Sequence, residues 1–169
     1  MDKVTKLVTH KATNDVNIRI LLTGLIFLIM GSLIYLLDRS HTLFPLIPIQ
    51  LNFTSEIAIF GRMGFYLPSL FHVVAFSLIG ISLLRNYSKY NLACCLFWVM
   101  INLLFEIGQA SSVTKFLKDH LFEYQHNAII NNILLFFELG TFDWKDMVST
   151  VIGGFIAYSI SWFIIVRKQ

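Results

Sequence analysis

Apolar residues run almost without interruption over residues 18–37, 67–84, 91–109 and 147–166, and Asp38, Arg85 with the turn at 86–90, and Arg167 close the runs. About 20 helical residues cross roughly 30 Å of hydrocarbon, where each backbone polar group must find its partner within its own helix. The pattern therefore predicts an all-α membrane protein, a bundle of four transmembrane helices in a single membrane domain spanning 1–169. The first three runs are slightly short, which snorkelling flanking residues can absorb.

Two connections carry more than a turn. Residues 38–66 hold Pro45, Pro48, Gly61 and Gly64 between the apolar stretches LFPLIPIQL and EIAIFGRMGFY, which predicts an ordered external cap on the outer leaflet. Residues 110–146 are too long for a bare connection. Within them Phe116, Leu117, His120, Leu121, Tyr124 and Ala128 recur at helical spacing, predicting a short amphipathic or re-entrant helix. A fifth span is the alternative there, but NAIINNILLFFEL is too short and too polar at its start to cross.

Composition agrees with the pattern: 56% of residues are hydrophobic, only 14% are charged, and mean hydropathy is +0.70, outside the range of an ordinary soluble domain. Lysine and arginine set the orientation. With the N-terminus in the cytoplasm, Lys3, Lys6, Lys11, Arg19, Arg85, Lys89, Arg167 and Lys168 lie inside, while Arg39, Arg62, Lys115, Lys118 and Lys145 lie outside. Both termini are thus expected in the cytoplasm of a multi-pass cell-membrane protein. The net charge of +3 reads as an anchor to anionic inner-leaflet lipid rather than a nucleic-acid footprint. The basic start followed by an apolar stretch resembles a secretory signal, but no small-residue cleavage site follows Leu37, so it is expected to stay as the first helix. The adjacent Cys94 and Cys95 read as packing residues in the third span.

Candidate chemistry comes from what interrupts the apolar runs. In the third, Asn91, Cys95, Trp98, Asn102, Glu106 and Gln109 are spaced 4, 3, 4, 4 and 3 and form one polar seam. The second run gives Ser69, His72, Phe76 and Gly80, and the fourth gives Asp146, Thr150, Gly153, Ala157 and Ser161. Such seams must face other helices or a wet cavity. Gly153 with Ala157, and Gly24 with Gly31, allow close backbone approach. Counting along the helices puts His72, Glu106, Gln109 and Asp146 at one outer height. Each has a plainer role available: His72 as a packed, hydrogen-bonded residue, Asp146 as a helix cap or dipole partner, Asn102 and Gln109 as interhelical glue. Glu106 resists one, because a buried carboxylate needs a proton or a partner such as His72, Lys145 or Arg62.

The stretches LPSLFHVVAFSLIG, FEIGQ and GTFDWKDMVSTVIGG together resemble the VanZ-like family of small bacterial membrane proteins, over about residues 20 to 166. The matching positions are His72, Glu106 with Gln109, Asp143 with Asp146, and Gly153. Thr141 and Thr150 depart from the family pattern, which often has an arginine and an asparagine there. The resemblance implies a cell-envelope role linked to antibiotic resistance.

Three function classes follow. The first is a binding protein whose outer polar site, formed by His72, Asn102, Glu106, Gln109, Asp143, Asp146 and Thr150, holds a lipid head group, an envelope precursor or an amphiphilic antibiotic. The second is an intramembrane enzyme with His72, Glu106 and Asp146 as a metal trio or as acid and base; no HExxH pattern or serine-nucleophile motif supports it. The third is a structural or partner-binding subunit. The binding class is favoured, with membrane lipids as partners and no catalytic residue, metal, cofactor or nucleic acid; four helices being few for a transport pathway, a homodimer is compatible with it.

Overall fold

The computed structural model describes residues 3–38, 59–84, 87–121 and 127–166 of the 169. Among these, the regular elements are helices: α1 (Lys3–Asp38), a 3-10 turn (Gly61–Phe65), α2 (Leu67–Leu83), α3 (Tyr87–Gly108), α4 (Ser111–Leu121), α5 (Ala128–Leu139) and α6 (Trp144–Val166). Three of them are long and apolar enough to cross a membrane, through windows at Ile18–Tyr35, Lys89–Gly108 and Trp144–Ile165. The expected cap at 38–66 falls mostly outside the described residues, which supply only its end, the Gly61–Phe65 turn.

The second expected span is the shortest of the four. α2 has 17 residues, about 25 Å at 1.5 Å per residue. Pro68 sits in its first turn, where a missing N–H costs nothing, and Leu84 ends it in an extended conformation at φ −80° and ψ 132°. Its short length goes with a central place. α2 packs against α1, α6 and α3, and Val73, Val74, Ala75, Ser77, Leu78 and Ile81 are fully buried. The outer faces of its neighbours are the reverse: Leu22, Ile26 and Ile29 on α1, Leu96, Phe97 and Met100 on α3, and Val151, Phe155 and Phe163 on α6 are exposed apolar side chains. A perimeter of that kind suits hydrocarbon and would be an aggregation hazard in water.

Close approaches fix the directions. Gly24 of α1 lies against Ala75 and Ile79, and Gly31 against Phe71 and His72, so α1 and α2 are antiparallel. Gly80 meets Cys94 and Trp98 while Phe76, one turn earlier, stacks on Trp98, making α2 and α3 antiparallel as well. α6 runs parallel to α2, with Lys145 beside Tyr66 and Gly153 against the Leu70 carbonyl. The end of α1, the start of α2, the end of α3 and the start of α6 therefore share one end of the bundle.

At the opposite end a polar link joins α3 to α6. The buried Ser161 hydroxyl donates to Asn91 Oδ1 at 2.7 Å and is also 2.9 Å from the Tyr158 carbonyl. Asn91 Oδ1 also lies 3.8 Å from Cys95 Sγ. Such bonds favour one helix register because no water replaces them in an apolar surround.

Two differences from the sequence pattern have simple causes. α1 begins at Lys3 rather than near Ile18: no proline or glycine occurs before Gly24 to break it, so the helix outruns its apolar part. The 110–146 connection forms two helices rather than one. α4 is amphipathic; α5, of 12 residues, is apolar and starts on Asn127, whose side chain accepts the N–H groups of Ile129 and Ile130 at 2.9 and 3.4 Å.

Candidate functional site

The end of α3 and the start of α6 are locked together by Glu106. Its Oε1 accepts the Asp143 N–H at 2.7 Å, across 37 residues of sequence. The donor is a backbone group, which no reading of side-chain partners would have named. Asp143 in turn caps α6: its Oδ1 accepts the Lys145 N–H at 2.9 Å, and its carbonyl accepts the Asp146 N–H at 3.0 Å. Of the two plainer roles open to Asp146, the cap is supplied three residues earlier by Asp143, and a place in the first turn suits the dipole. Asp146 lies in the first turn of α6 and is 9% exposed.

Three carboxylates therefore gather at one helix N-terminus. The unsatisfied N–H groups there carry roughly half a positive charge, which favours acids nearby. Lys145, on the same turn, donates to the Tyr66 hydroxyl at 3.1 Å with its ammonium 5.1 Å from the Tyr66 ring centre, and its charge also acts on Asp143.

The remaining predicted residues divide. Thr150 is buried one turn below Asp146, and the whole stripe of Asp146, Thr150, Gly153, Ala157 and Ser161 faces inward as its spacing predicted. Gln109 sits just past α3, with its N–H on the Glu106 carbonyl at 3.1 Å and its side chain pressed against Gly140. Asn102 turns back on its own helix, donating to the Trp98 carbonyl at 2.8 Å. His72 stacks on Phe76 at 6.1 Å, and Phe76 stacks on Trp98 at 5.0 Å. His72 also lies beside Gly31, so it belongs to the α1 side of α2. Glu106, Asp143 and Asp146 are brought together at the start of α6.

Among the described residues, no three His, Cys, Asp or Glu side chains converge as donors to one metal ion.

One feature was missed in the sequence. The α4–α5 hairpin folds back on the end of α3, where the Phe137 ring packs on Gly108 and the Thr114 hydroxyl donates to the Gly108 carbonyl at 2.9 Å. Phe105 meets Phe136 edge-on at 5.9 Å and stacks on Phe137 at 6.0 Å. The hairpin leaves a groove of about 440 Å³ that includes Gln109 and Gly140, next to the Glu106–Asp143 lock. A small residue at 108 facing an aromatic at 137 was the available signal, but nothing in the sequence pairs those positions.

The fold and site together define an all-helical protein with three helices suited to a membrane and an acidic cluster at one end of its bundle. No family model, curated protein or solved structure matches the chain.

Proposed function

We propose that the chain is a multi-pass membrane protein with a cell-envelope role, and that its acidic end binds the polar head of an amphiphile: a lipid, an envelope precursor or an amphiphilic antibiotic. α2 is the fourth span, short because α1, α3 and α6 surround it, and both termini face the cytoplasm. The likeness of FEIGQ and GTFDWKDMVSTVIGG to VanZ-like proteins supports this reading, since Glu106 and Asp143 of those two stretches are the pair that meet.

The observation that carries the proposal is the gathering of Glu106, Asp143 and Asp146 on one helix N-terminus. A neutral oxygen at 106 would accept the Asp143 N–H equally well in shape. Three acids beside one helix N-terminus and the Lys145 ammonium make this end of the bundle a concentrated set of hydrogen-bond acceptors. Ammonium, amide or hydroxyl donors on a ligand suit such acceptors.

Native mass spectrometry of the purified protein tests this. Wild type should retain a defined amphiphile that Glu106→Gln and Asp146→Asn lose while both stay folded. Identical bulk lipid on all three would remove the proposal and leave Glu106 as a structural acceptor.

A further inference from the structure

The α4–α5 groove is lined by Gln109, Lys115, Lys118, Asp119, Phe137 and Glu138, among others. Its volume of about 440 Å³ falls within the span of small-ligand clefts, roughly 300–1,000 Å³. Lys115, Lys118 and Asp119 are spaced by three and four along α4 and so share a face, and Glu138 approaches from α5. The charges balance: two lysines and two acids. A purely anionic head group would meet both acids, and a cationic one would meet both lysines. A head group carrying both signs meets complements for each.

The groove is also open to exchange. Lys118 Nζ donates to Glu138 Oε1 at 2.8 Å, and the two side chains are 42% and 49% exposed. Exposed ion pairs contribute little to folding, so a ligand can replace this one at small cost. Beside the groove, Ile129, Ile133 and Phe136 form an exposed apolar stripe on α5 at spacings of four and three. Phe136 continues it to Phe105, itself exposed on α3. Polar groove and apolar stripe lie side by side, as a molecule with a charged head and hydrocarbon tails requires.

We infer that this groove binds a phosphate–ammonium zwitterion of the phosphoethanolamine type, with the phosphate toward Lys115 and Lys118 and the ammonium toward Asp119 and Glu138. The inference rests on the amphiphile-binding reading above and extends the head-group contacts from the acidic cluster into the neighbouring groove. The same chemistry occurs in membrane phosphatidylethanolamine and in soluble glycerophosphoethanolamine.

The test uses the full chain, purified and delipidated, then offered equal amounts of phosphatidylethanolamine and phosphatidylglycerol before native mass spectrometry. Wild type should retain phosphatidylethanolamine at least fivefold over phosphatidylglycerol. Lys115→Glu and Glu138→Lys, both at exposed positions, should each abolish that preference, while Lys89→Gln at the other end of α3 should keep it. Displacement by glycerophosphoethanolamine would show that the head alone suffices; failure to displace, with the preference intact, would show that the tails add to the same site. Equal retention of both lipids, or a preference for phosphatidylglycerol, overturns the inference. Loss of lipid from Glu106→Gln with full retention by Lys115→Glu overturns the groove and leaves the proposed function standing. Unselective lipid on every variant overturns both.

Discussion

Gly153 and Gly154 are neighbours on α6, yet they face different helices and should respond unequally to the same substitution. A Cβ on Gly153 would lie 2.7 Å from the Leu70 carbonyl oxygen and 3.3 Å from Val73 Cβ. The first obstacle is backbone, so relief requires α2 and α6 to separate by roughly half an ångström or more toward ordinary contact distance. A Cβ on Gly154 would meet Val99 Cγ2, the tip of a side chain, with Val99 Cβ the next atom at 3.7 Å. Relief there falls on the Val99 side chain, which is stiff on a helix but can yield at about 0.5–1.5 kcal/mol without moving backbone. Overpacking costs about 1–3 kcal/mol, while replacing a mid-helix glycine by alanine gains about 1 kcal/mol of helix propensity. The gain is common to both variants and cancels in their comparison. Gly153→Ala should therefore be less stable than Gly154→Ala by on the order of 1 kcal/mol, with Gly154→Ala the closer to wild type. Unfolding by denaturing detergent in mixed micelles measures the difference. Equal stability, or Gly153→Ala the more stable of the two, would refute the packing of α2 on α6 through Gly153.

Other consequences follow from single contacts. Asn91→Ala and Ser161→Ala should be non-additive in the same assay, with a coupling of about 0.6 kcal/mol, the average for interhelical bonds in a membrane protein, and at most about 1.7 kcal/mol; additivity would mean that the 2.7 Å bond does not hold α3 to α6. Asp143→Ala removes a helix cap and should cost about 1 kcal/mol, whereas Asp143→Asn, which can still accept the Lys145 N–H, should cost much less; equal losses would place the importance of Asp143 in its charge. Lys118→Gln should shift the unfolding midpoint by less than about 1 kcal/mol, and the shift should shrink with added salt. A large, salt-independent effect would show that the pair with Glu138 is structural rather than exchangeable.

The parts of this architecture that were legible in the sequence are those that one helix encodes alone. The inward stripe of Asp146, Thr150, Gly153, Ala157 and Ser161 followed from helical period, because lipid excludes polar and small residues from forming an outward stripe. Gly24 and Gly31 likewise meet α2 as their spacing suggested. What was not legible depends on register between helices. Asn91 lies in a predicted seam, and so does Ser161, but no periodicity pairs them across 70 residues. Gly154 falls off the stripe because it faces α3 rather than α2. The Lys145–Tyr66 contact spans 79 residues and turns a candidate partner of Glu106 toward another helix. The acceptor role of Glu106 was hidden for a different reason: its donor is a main-chain N–H, identical in every residue type but proline, so composition carries no trace of it.

That backbone donor also sharpens the question of why position 106 is charged. The lock needs an acceptor oxygen, which glutamine would provide at the same length. If the α6 dipole alone explained the acids, then Glu106, Asp143 and Asp146 would be partly redundant, since charge–dipole attraction is worth about 0.3–1 kcal/mol each and falls as neighbouring acids repel one another. Neutralising one of the three should then leave stability unchanged or raised. A ligand account makes the same forecast for stability and a different one for binding. Stability measured beside amphiphile retention separates the two: a Glu106→Gln protein as stable as wild type but empty would place the charge in the site, and one as stable and still loaded would confine it to the helix end.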